Sequence, residues 1–410
     1  MGQRQDASGC TERFERKREA ILDAATRILN RRGIKGLTLG DTAAAVGLST
    51  TSVTYYFRRK DDLAAASISR GILRLLAIAV AAGQAATPQA RLTAFVGGYL
   101  GVLAAAARGE AEPMPIISEL RALGSPQRET VLQTYSRLFQ ATRQLFDHPD
   151  LAWMSRGRRS ARARMLLEQS FWGGNWLSQR SADEMAELRA GLADILINGL
   201  AQPGVVWAPC AMRMNRLAER EGPELSRETF LLAATRLINQ RGYRGASVDK
   251  ISAELNVTKG SFYHHNDAKD DLVVACFTRS FEVTRRAQRL ASEGAGDAWS
   301  HLTTGAAALA EFQLSDHGPL LRTMAVAALP EAMRGAVVEQ SERITETFAA
   351  GISEGIREGT IRPVDPVLAA HLLSATLNAC ADLGGLEREV RAKAAAGVFV
   401  RPLLMGVFAQ

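Results

Sequence analysis

Apolar residues near the start of the chain recur at intervals of three and four positions, which places them on one face of an α-helix. The same pattern returns 209 residues later. The spacing therefore predicts two amphipathic helices of the same kind. Their apolar positions are Ile21, Ala24, Ala25, Ile28 and Leu29 in the first helix and Phe230, Ala233, Ala234, Leu237 and Ile238 in the second.

Both helices belong to a longer internal repeat. Residues 18–63 align without a gap with residues 227–272, and both segments end in the sequence Lys-Asp-Asp-Leu. Identical pairs include Arg27 with Arg236 and Asn30 with Asn239. Because the offset is about half of the 410 residues, we expect two copies of one unit of about 200 residues.

Glycine and capping residues mark the ends of helices in each copy. The first helix is predicted to end at Gly33 or Gly242, since glycine readily adopts a positive φ at a helix C-terminus. Thr38 and Ser247 are good N-caps for a short second helix.

The second helix is predicted to stop at a three-residue break, residues 47–49 in the first copy and 256–258 in the second. Ser49 and Thr258 close these breaks and can cap a third helix. Two short helices around such a turn form a helix-turn-helix, whose second helix enters the major groove of DNA. Each copy is therefore predicted to begin with a DNA-binding domain.

Helical patterns fill the remainder of each copy, and strand-like alternation is scarce. The sequence therefore predicts an all-α fold. The later helical segments are residues 91–107, 126–146, 162–178 and 182–200 in the first copy and 298–314, 331–358, 366–383 and 386–408 in the second.

The positive charge is concentrated in the first copy. The whole chain carries a net charge of +7, and residues 13–60 alone hold eleven Lys or Arg against four Asp or Glu. The equivalent residues 222–269 hold seven against five. A local cationic excess favours binding to a polyanion such as DNA, although a solvated helix face explains such a run of charge equally well.

The remaining chemistry of the sequence is sparse. The four cysteines lack paired or metal-like spacing, and the N-terminus lacks an apolar export signal, so we expect a cytoplasmic protein with reduced thiols. Ser67, Ser69, Arg70 and Arg74 interrupt the apolar stretch 64–82, which favours a buried helix over a membrane span. No nucleophile elbow, phosphate loop, dinucleotide motif or metal cluster is found, so we expect no enzyme activity, no metal and no cofactor.

The third predicted helix carries a family resemblance. In the second copy, Thr-Lys-Gly-Ser-Phe-Tyr-His-His at 258–265, followed by Lys-Asp-Asp-Leu at 269–272, resembles the recognition segment of the TetR (tetracycline-repressor) family. The first copy matches less closely at 49–57, because it lacks the Lys-Gly pair and one tyrosine, and the second copy has Asn266 at a usual phenylalanine. The resemblance covers about 46 residues in each half.

The resemblance implies a set of DNA-contacting residues. Lysine attracts phosphate or reads guanine, glycine allows close approach of the backbone, and tyrosine or histidine reaches phosphate or a thymine methyl group. One of Tyr55 and Tyr56 is expected to pack in the core instead, and His264 and His265 could be packed or solvated histidines. The proposed DNA-binding residues are Thr38, Thr50, Thr51, Ser52, Thr54, Tyr55 and Lys60 in the first copy and Ser247, Thr258, Lys259, Gly260, Ser261, Tyr263, His264 and Lys269 in the second.

The family also has an apolar effector pocket, and a four-helix dimer interface made from the last two helices of each partner. The resemblance thus implies both features here, and we expect a small apolar or aromatic effector. Most aromatic residues at helical spacing are ordinary core. The candidate ligand-binding residues are Phe95, Tyr99, Tyr135, Phe139, Trp172 and Trp176 in the first copy and Phe277, Trp299, Phe312, Met324 and His371 in the second.

The chain is predicted to divide at a linker rich in proline and glycine. Its 22 residues reach about 70 Å when extended, which is enough for the two halves to pack on each other. The predicted division is a tail (1–12), a first helix-turn-helix domain (13–62), a first effector and dimerisation domain (63–201), the linker (202–223), a second helix-turn-helix domain (224–271) and a second effector and dimerisation domain (272–410).

These features predict a ligand-responsive repressor that binds an asymmetric double-stranded DNA operator as a covalent pseudo-dimer. Its two helix-turn-helix domains, called its readers below, would lie about 34 Å apart. The alternative assembly is a homodimer of whole chains with four readers. The alternative function is a helical effector-binding or interaction scaffold in which only the second reader binds DNA.

Overall fold

A computed structural model describes residues 3–177, 180–218, 225–246, 248–254, 269–329, 331–380 and 392–410. These residues fold into helices joined by turns, with one isolated β-bridge between Ala201 and Ile361. The protein is all-α, as the sequence predicts.

The first half begins with three helices of the predicted DNA-binding domain and continues with longer helices. These elements are α1 (Gln3–Gly36), α2 (Leu39–Ala45), α3 (Thr50–Tyr56), α4 (Lys60–Ala82), α5 (Pro88–Ala107), a 3₁₀ segment (Ile117–Ala122), α6 (Gln127–Gln144), a 3₁₀ turn (Pro149–Leu151), α7 (Arg156–Trp176) and α8 (Ala182–Asn198).

The described part of the second half repeats this order after a short connecting helix. Its elements are α9 (Met214–Ala218), α10 (Leu225–Gly245), α11 (Val248–Glu254), α12 (Lys269–Ser292), α13 (Ala298–Leu314), a 3₁₀ segment (Thr323–Ala328), α14 (Glu331–Glu358), α15 (Pro366–Cys380), α16 (Ala392–Ala395), a π-helical segment (Ala396–Val400) and α17 (Arg401–Met405).

The ends of several helices differ from the predicted ones. Helix α1 begins at Gln3, inside the predicted tail, because residues 3–36 contain no proline that would stop a helix. Helix α7 begins six residues early, since the Ser155 hydroxyl accepts a hydrogen bond from the Arg158 amide and caps the helix there. The bounds of α13 and α14 match the prediction.

The C-terminal helix, predicted as one segment over 386–408, is interrupted in its described part. Proline at position 402 has no N–H, so it cannot donate to the carbonyl of Val398. The chain widens to a π-helix at Ala396–Val400, and the Arg162 guanidinium donates to the Val398 carbonyl at 3.4 Å. The proline thus explains both the break and the contact.

Helices α4 and α5 are long and apolar enough to cross a membrane by length and composition. Half of the apolar window of α4 is buried inside the protein. Arg70 on α4 contacts Glu19 at 2.8 Å and Asp23 at 2.6 Å, both on α1. These contacts identify α4 as a core helix that carries the first DNA-binding domain.

The two copies repeat some of their contacts as well as their sequence. Arg279, 209 residues after Arg70, donates to Glu228 at 2.5 Å, and Glu228 is the counterpart of Glu19. The second pair is more buried, since the Arg279 side chain is 1% exposed and that of Arg70 is 16% exposed. In both halves this pair ties the first helix of the reader to the long helix behind it.

Asn30 and Asn239, identical in the repeat, also have the same contacts. Each side-chain amide donates to a backbone carbonyl, of Met114 or Leu320, and each amide oxygen accepts from a backbone N–H, of Ile116 or Arg322. These bonds hold the strand-like segment in front of each 3₁₀ segment against the first helix of a reader.

The halves pack against each other through α7 and α8 on one side and α15, the π-helical segment and α17 on the other. Gln169 on α7 donates to the Leu372 carbonyl and to the Thr376 hydroxyl on α15. Glu168 and Arg322 form a salt bridge of 2.7 Å with side chains only 5% and 4% exposed. These are the helices that the resemblance assigns to a dimer interface, and here they meet within one chain.

The connecting segment lies on the second half. Trp299 on α13 donates its indole N–H to the Val206 carbonyl at 3.0 Å, and the Thr304 hydroxyl accepts from the Cys210 amide at 3.0 Å. Farther on, Leu217 of α9 is fully buried. The described part of the predicted linker is therefore bound along α13 rather than extended between the halves.

Candidate DNA interface and inter-half cavity

The first reader, α1 to α3, is positioned by its caps and by one glycine. The Thr38 hydroxyl accepts from the Asp41 amide at 2.9 Å and begins α2, and the Ser49 hydroxyl accepts from the Ser52 amide at 3.1 Å and begins α3. Gly47 lies between them with φ +65°, a conformation that favours glycine. The turn is formed by the residue types that the sequence singled out.

Helix α3 has one buried face and one exposed face. Val53 is fully buried and Phe57 nearly so, and they hold the helix against the core. Tyr56 is half-buried and packs on Phe14 at 4.6 Å between ring centroids, whereas Tyr55 is 76% exposed. Only one of the two tyrosines packs in the core, as predicted.

The exposed face of the first reader is polar. It contains most of the DNA contacts predicted for this half, whereas Ser52 is half-buried and its hydroxyl lies 2.9 Å from that of Ser49. The exposed predicted residues are Thr38, Thr50, Thr51, Thr54, Tyr55 and Lys60.

Exposed arginines lie on either side of helix α3 along the sequence. Arg31 at the end of α1 and Arg58 beyond α3 are exposed. Arg59 and Arg32 are also exposed and lie within 4 Å of Asp61 and Asp41. The sequence prediction left these arginines out, although the excess of charge in residues 13–60 pointed to them.

The recognition segment of the second reader lies outside the described residues, and with it the predicted contacts Ser247, Thr258, Lys259, Gly260, Ser261, Tyr263 and His264. Lys269 is the first residue of α12, and its side chain also lies outside the described residues. The described parts of this reader, α10 and α11, resemble α1 and α2 of the first reader. Gly242 bends α10 with φ +70°, as Gly33 bends α1 with φ +60°.

A cavity of about 1060 Å³ lies between the two halves. Asn30 of the first reader and residues 113–117 form one part of its wall, and α5, α7 and α8 form another. The second half contributes Val326 of its 3₁₀ segment and residues of α14 and α15. The cavity therefore touches a reader and the inter-half interface at once.

Aromatic rings from both halves meet in this wall. The rings of Trp176 on α7 and His371 on α15 are stacked, 4.4 Å apart at their centroids and 3° from parallel. The Tyr99 hydroxyl donates to the Ser170 carbonyl at 2.5 Å, and burial raises the pKa of Tyr99 far above its ordinary value. Burial and, after it, the charge of Arg180 lower the pKa of His371 to about 4, so this histidine is neutral at pH 7.

Three of the predicted ligand-binding residues, Tyr99, Trp176 and His371, line the cavity. The structure does not bring the others whose side chains it describes to this wall, and it places the cavity between the halves rather than within each. Trp172 and Met324 lie in helices, but their side chains are outside the described residues. The residues away from the wall are Phe95, Tyr135, Phe139, Phe277, Trp299 and Phe312.

These six residues have other contacts. Phe95, Phe277 and Phe312 are at most 2% exposed and belong to the core. The Arg164 guanidinium lies 5.6 Å from the ring of Phe139, and Trp299 holds the connecting segment. Aromatic spacing along the sequence therefore identified apolar helix faces without distinguishing core from cavity.

Several residues of the cavity wall were missed from sequence. Glu342 and Glu346 lie one turn apart on α14, and Arg180 and Glu184 lie near the start of α8. Charged residues on exposed helices are too common to single out one by one. The sequence offered one signal for a wall residue, which is that Asn30 is identical to Asn239 in the repeat. The structure shows that both asparagines hold the segment in front of a 3₁₀ segment.

A helix-turn-helix domain at the start of an all-helical frame is typical of DNA-binding regulators. The family model described as "Bacterial regulatory proteins, tetR family" matches residues 21–67 and 230–276. Both helix-turn-helix domains thus match the tetR family of bacterial regulatory proteins.

Individual relatives match parts of the chain. The Transposon Tn10 TetC protein of Escherichia coli is 35% identical over 63 residues, 15% of this chain and 32% of TetC. The uncharacterized HTH-type transcriptional regulator YhgD of Bacillus subtilis (strain 168) is 25% identical over 148 residues, 36% of this chain and 78% of YhgD. The chain therefore spans about a third of TetC and over three quarters of YhgD.

A solved structure also matches part of the chain. The TetR family transcriptional regulator PfmR from Thermus thermophilus is 24% identical, with a TM-score of 0.38. The match covers 43% of this chain and 98% of PfmR.

Proposed function

We propose that the protein is a ligand-responsive transcriptional repressor whose two unlike readers bind one DNA operator as an intramolecular pseudo-dimer. The observation that carries the proposal is the capped helix α3, which presents Thr50, Thr51, Thr54 and Tyr55 to solvent while Val53 anchors it. Such a face suits contacts with phosphates and base edges. In the second reader, Lys259 and Tyr263 are the proposed counterparts of Thr50 and Thr54.

The pseudo-dimer is supported by the contacts between the halves. Arg362 donates to the Gly199 carbonyl at 2.7 Å and to Asp194 at 2.6 Å, and the Leu200 amide donates to the Leu404 carbonyl at 2.7 Å. Together with the Glu168–Arg322 bridge, these bonds join one half to the other. Two unlike readers held in this way favour an asymmetric operator.

The effector is proposed to be a small aromatic or apolar molecule that binds in the inter-half cavity. Repression would then follow ordinary linkage, because a ligand that binds better to one arrangement of the readers shifts the protein toward it. The protein is proposed to work in the cytoplasm as a regulator and not as an enzyme.

A second function is favoured by one observation. Helix α3 carries no lysine or arginine between Thr50 and Tyr56. The first half could therefore act as an effector and dimerisation module beside a single working reader. The exposed cations Arg31, Arg58 and Lys60 around α3 argue against this alternative.

Light scattering with and without DNA from upstream of the gene tests the assembly. A DNA-binding particle of the chain's own mass, 44.3 kDa, is expected for the pseudo-dimer. A particle of twice that mass would overturn it and imply four readers on a longer operator.

Separate variants of each reader distinguish the two functions. Thr54→Ala is expected to weaken operator binding by about tenfold, as is Lys259→Ala, because each removes one contact. Thr347→Ala is the matched control, since its hydroxyl bonds the carbonyl four residues back at 3.0 Å, as that of Thr54 does at 2.9 Å. Loss from Lys259→Ala alone would favour the single-reader scaffold.

A further inference from the structure

We propose that the inter-half cavity is one ligand site, built jointly by both halves, for an aromatic molecule that carries a positive charge. The inference rests on the proposed function, in which a small molecule controls the readers, and it specifies the location and the charge of that molecule.

Neither half completes the wall of the cavity. Tyr99, Phe171 and Trp176 come from α5 and α7 of the first half, whereas His371 and the carboxylates of α14 come from the second. The stacked pair of Trp176 and His371 closes the wall across the interface. A cavity made in this way takes one ligand per chain, although the chain carries two readers.

Carboxylates outnumber guanidinium groups in the wall. Arg180 donates to Glu184 at 3.1 Å, so these two charges compensate each other. Glu342 and Glu346, one turn apart on α14, are both exposed at the cavity, and like charges at this spacing repel. No ion pair of either carboxylate is found among the described residues.

The other charged and titratable groups of the wall do not reverse this balance. Arg334 lies two turns before Glu342 and donates to the Leu329 carbonyl at 3.0 Å. His371 is neutral at pH 7, because burial lowers its pKa to about 4. The remaining polar wall groups, such as Ser341 and Thr345, are uncharged.

A positive aromatic ligand matches these features together. Ring faces attract cations through their quadrupoles, and this attraction grows when water is excluded. A cation would also relieve the repulsion between Glu342 and Glu346, whereas an anion of the same shape would add to it. The volume of about 1060 Å³ is ample for several fused or linked rings.

A ligand in this site would touch the first reader directly. Asn30 lines the cavity, and its amide holds the Met114 carbonyl and the Ile116 amide. The contact with the second reader is indirect. Val326 lines the cavity and belongs to the 3₁₀ segment that follows Arg322, and the backbone amide of Arg322 donates to Asn239 of the second reader.

The test uses tetraphenylphosphonium and tetraphenylborate, which share size and shape and carry opposite charges. Isothermal titration of the full chain is expected to give one phosphonium per chain, bound at least about tenfold more tightly than the borate. The double variant Glu342→Gln with Glu346→Gln is expected to weaken phosphonium binding by about tenfold. Glu339→Gln, on the same helix but paired with Arg343, should leave it unchanged.

Equal or tighter binding of the borate, two phosphonium ions per chain, an unaffected double variant, or no saturable binding of either ion would each overturn the inference. Operator binding is measured on the same preparation without either ion. If the protein binds DNA but not phosphonium, the charge assignment fails and the proposed function stands. If it binds phosphonium but not DNA, the proposed function fails instead.

Discussion

Two pairs of identical residues in the two copies make equivalent contacts, and the duplication is most visible at this level. Asn30 and Asn239 each hold the backbone in front of a 3₁₀ segment, and Arg70 and Arg279 each pair with a glutamate of the first helix. A half-buried amide that satisfies both a carbonyl and an N–H is costly to replace, because both partners would lose their hydrogen bonds. Position along the sequence alone does not reveal such roles.

His371 is expected to make the stability of the protein depend on pH. Its pKa is lowered to about 4, by burial first and by Arg180 second, from the 6.5 of an exposed histidine. The unfolded chain therefore binds more protons between about pH 6.5 and pH 4, so stability should fall as the pH is lowered through this window. His371→Phe keeps a ring against Trp176 and removes the titrating group.

Urea unfolding of both proteins between pH 4 and pH 7 measures this effect. Between pH 7 and pH 4, the unfolding free energy of the variant should decrease by about 1–2 kcal/mol less than that of the parent. This figure is reduced to allow for the partial exposure of His371. Parallel curves for the parent and the His371 variant would contradict the prediction.

Among the elements, the turn of the first helix-turn-helix depends most directly on a single residue. Gly47 has φ +65°, and no atom lies within 4 Å of the place that a Cβ would occupy, so its requirement for glycine is conformational and not steric. Gly40 lies inside α2, with its nearest neighbours at 3.9 Å. The two glycines form a matched pair within one domain.

Gly47→Ala is expected to destabilise the protein by about 1 kcal/mol, because alanine is strained at positive φ. Gly40→Ala should be neutral or stabilising by up to about 1 kcal/mol, since alanine favours the helix. Chemical denaturation of the two variants gives the comparison. Similar effects at both positions would mean that the conformation of the turn does not depend on glycine.

Helix bounds followed from sequence where caps and periodicity agreed. Helices α13 and α14 have the predicted bounds, and Thr38 and Ser49 cap the helices that were expected of them. The last predicted helix is helical over residues 392–405, but it changes to a π-helix at Ala396–Val400, because Pro402 removes a hydrogen bond that periodicity does not register.

At the scale of the whole molecule, the halves are expected to stay together without the covalent connection. Pro203 and Gly204 are exposed, and no atom lies within 4 Å of the place that a Cβ at Gly204 would occupy, so a protease site can be inserted there. After cleavage the packing of α7 and α8 on α15 and α17 remains, including the buried Glu168–Arg322 bridge. Such an interface loses only the effective concentration that the connection supplies.

Size-exclusion chromatography of the nicked protein is expected to give one peak with both fragments. A variant with Arg322→Met in addition should separate more readily, because it leaves Glu168 buried without its partner. Separation of the nicked parent itself at micromolar concentration would show that the connection, and not the interface, joins the halves.

The sequence by itself determined the duplication, the all-helical class and the two helix-turn-helix domains, because capping, glycine turns and helical periodicity are local and were repeated at one offset. The sequence also identified aromatic residues on the helix faces, but it did not predict which of them line the cavity. Only the tertiary structure brought Trp176 to His371 and Glu168 to Arg322, and placed Asn30 of the first reader and α14 in the wall of one cavity. These pairs are more than 150 positions apart in the sequence, and the packing of one half on the other, which no local pattern encodes, decides them.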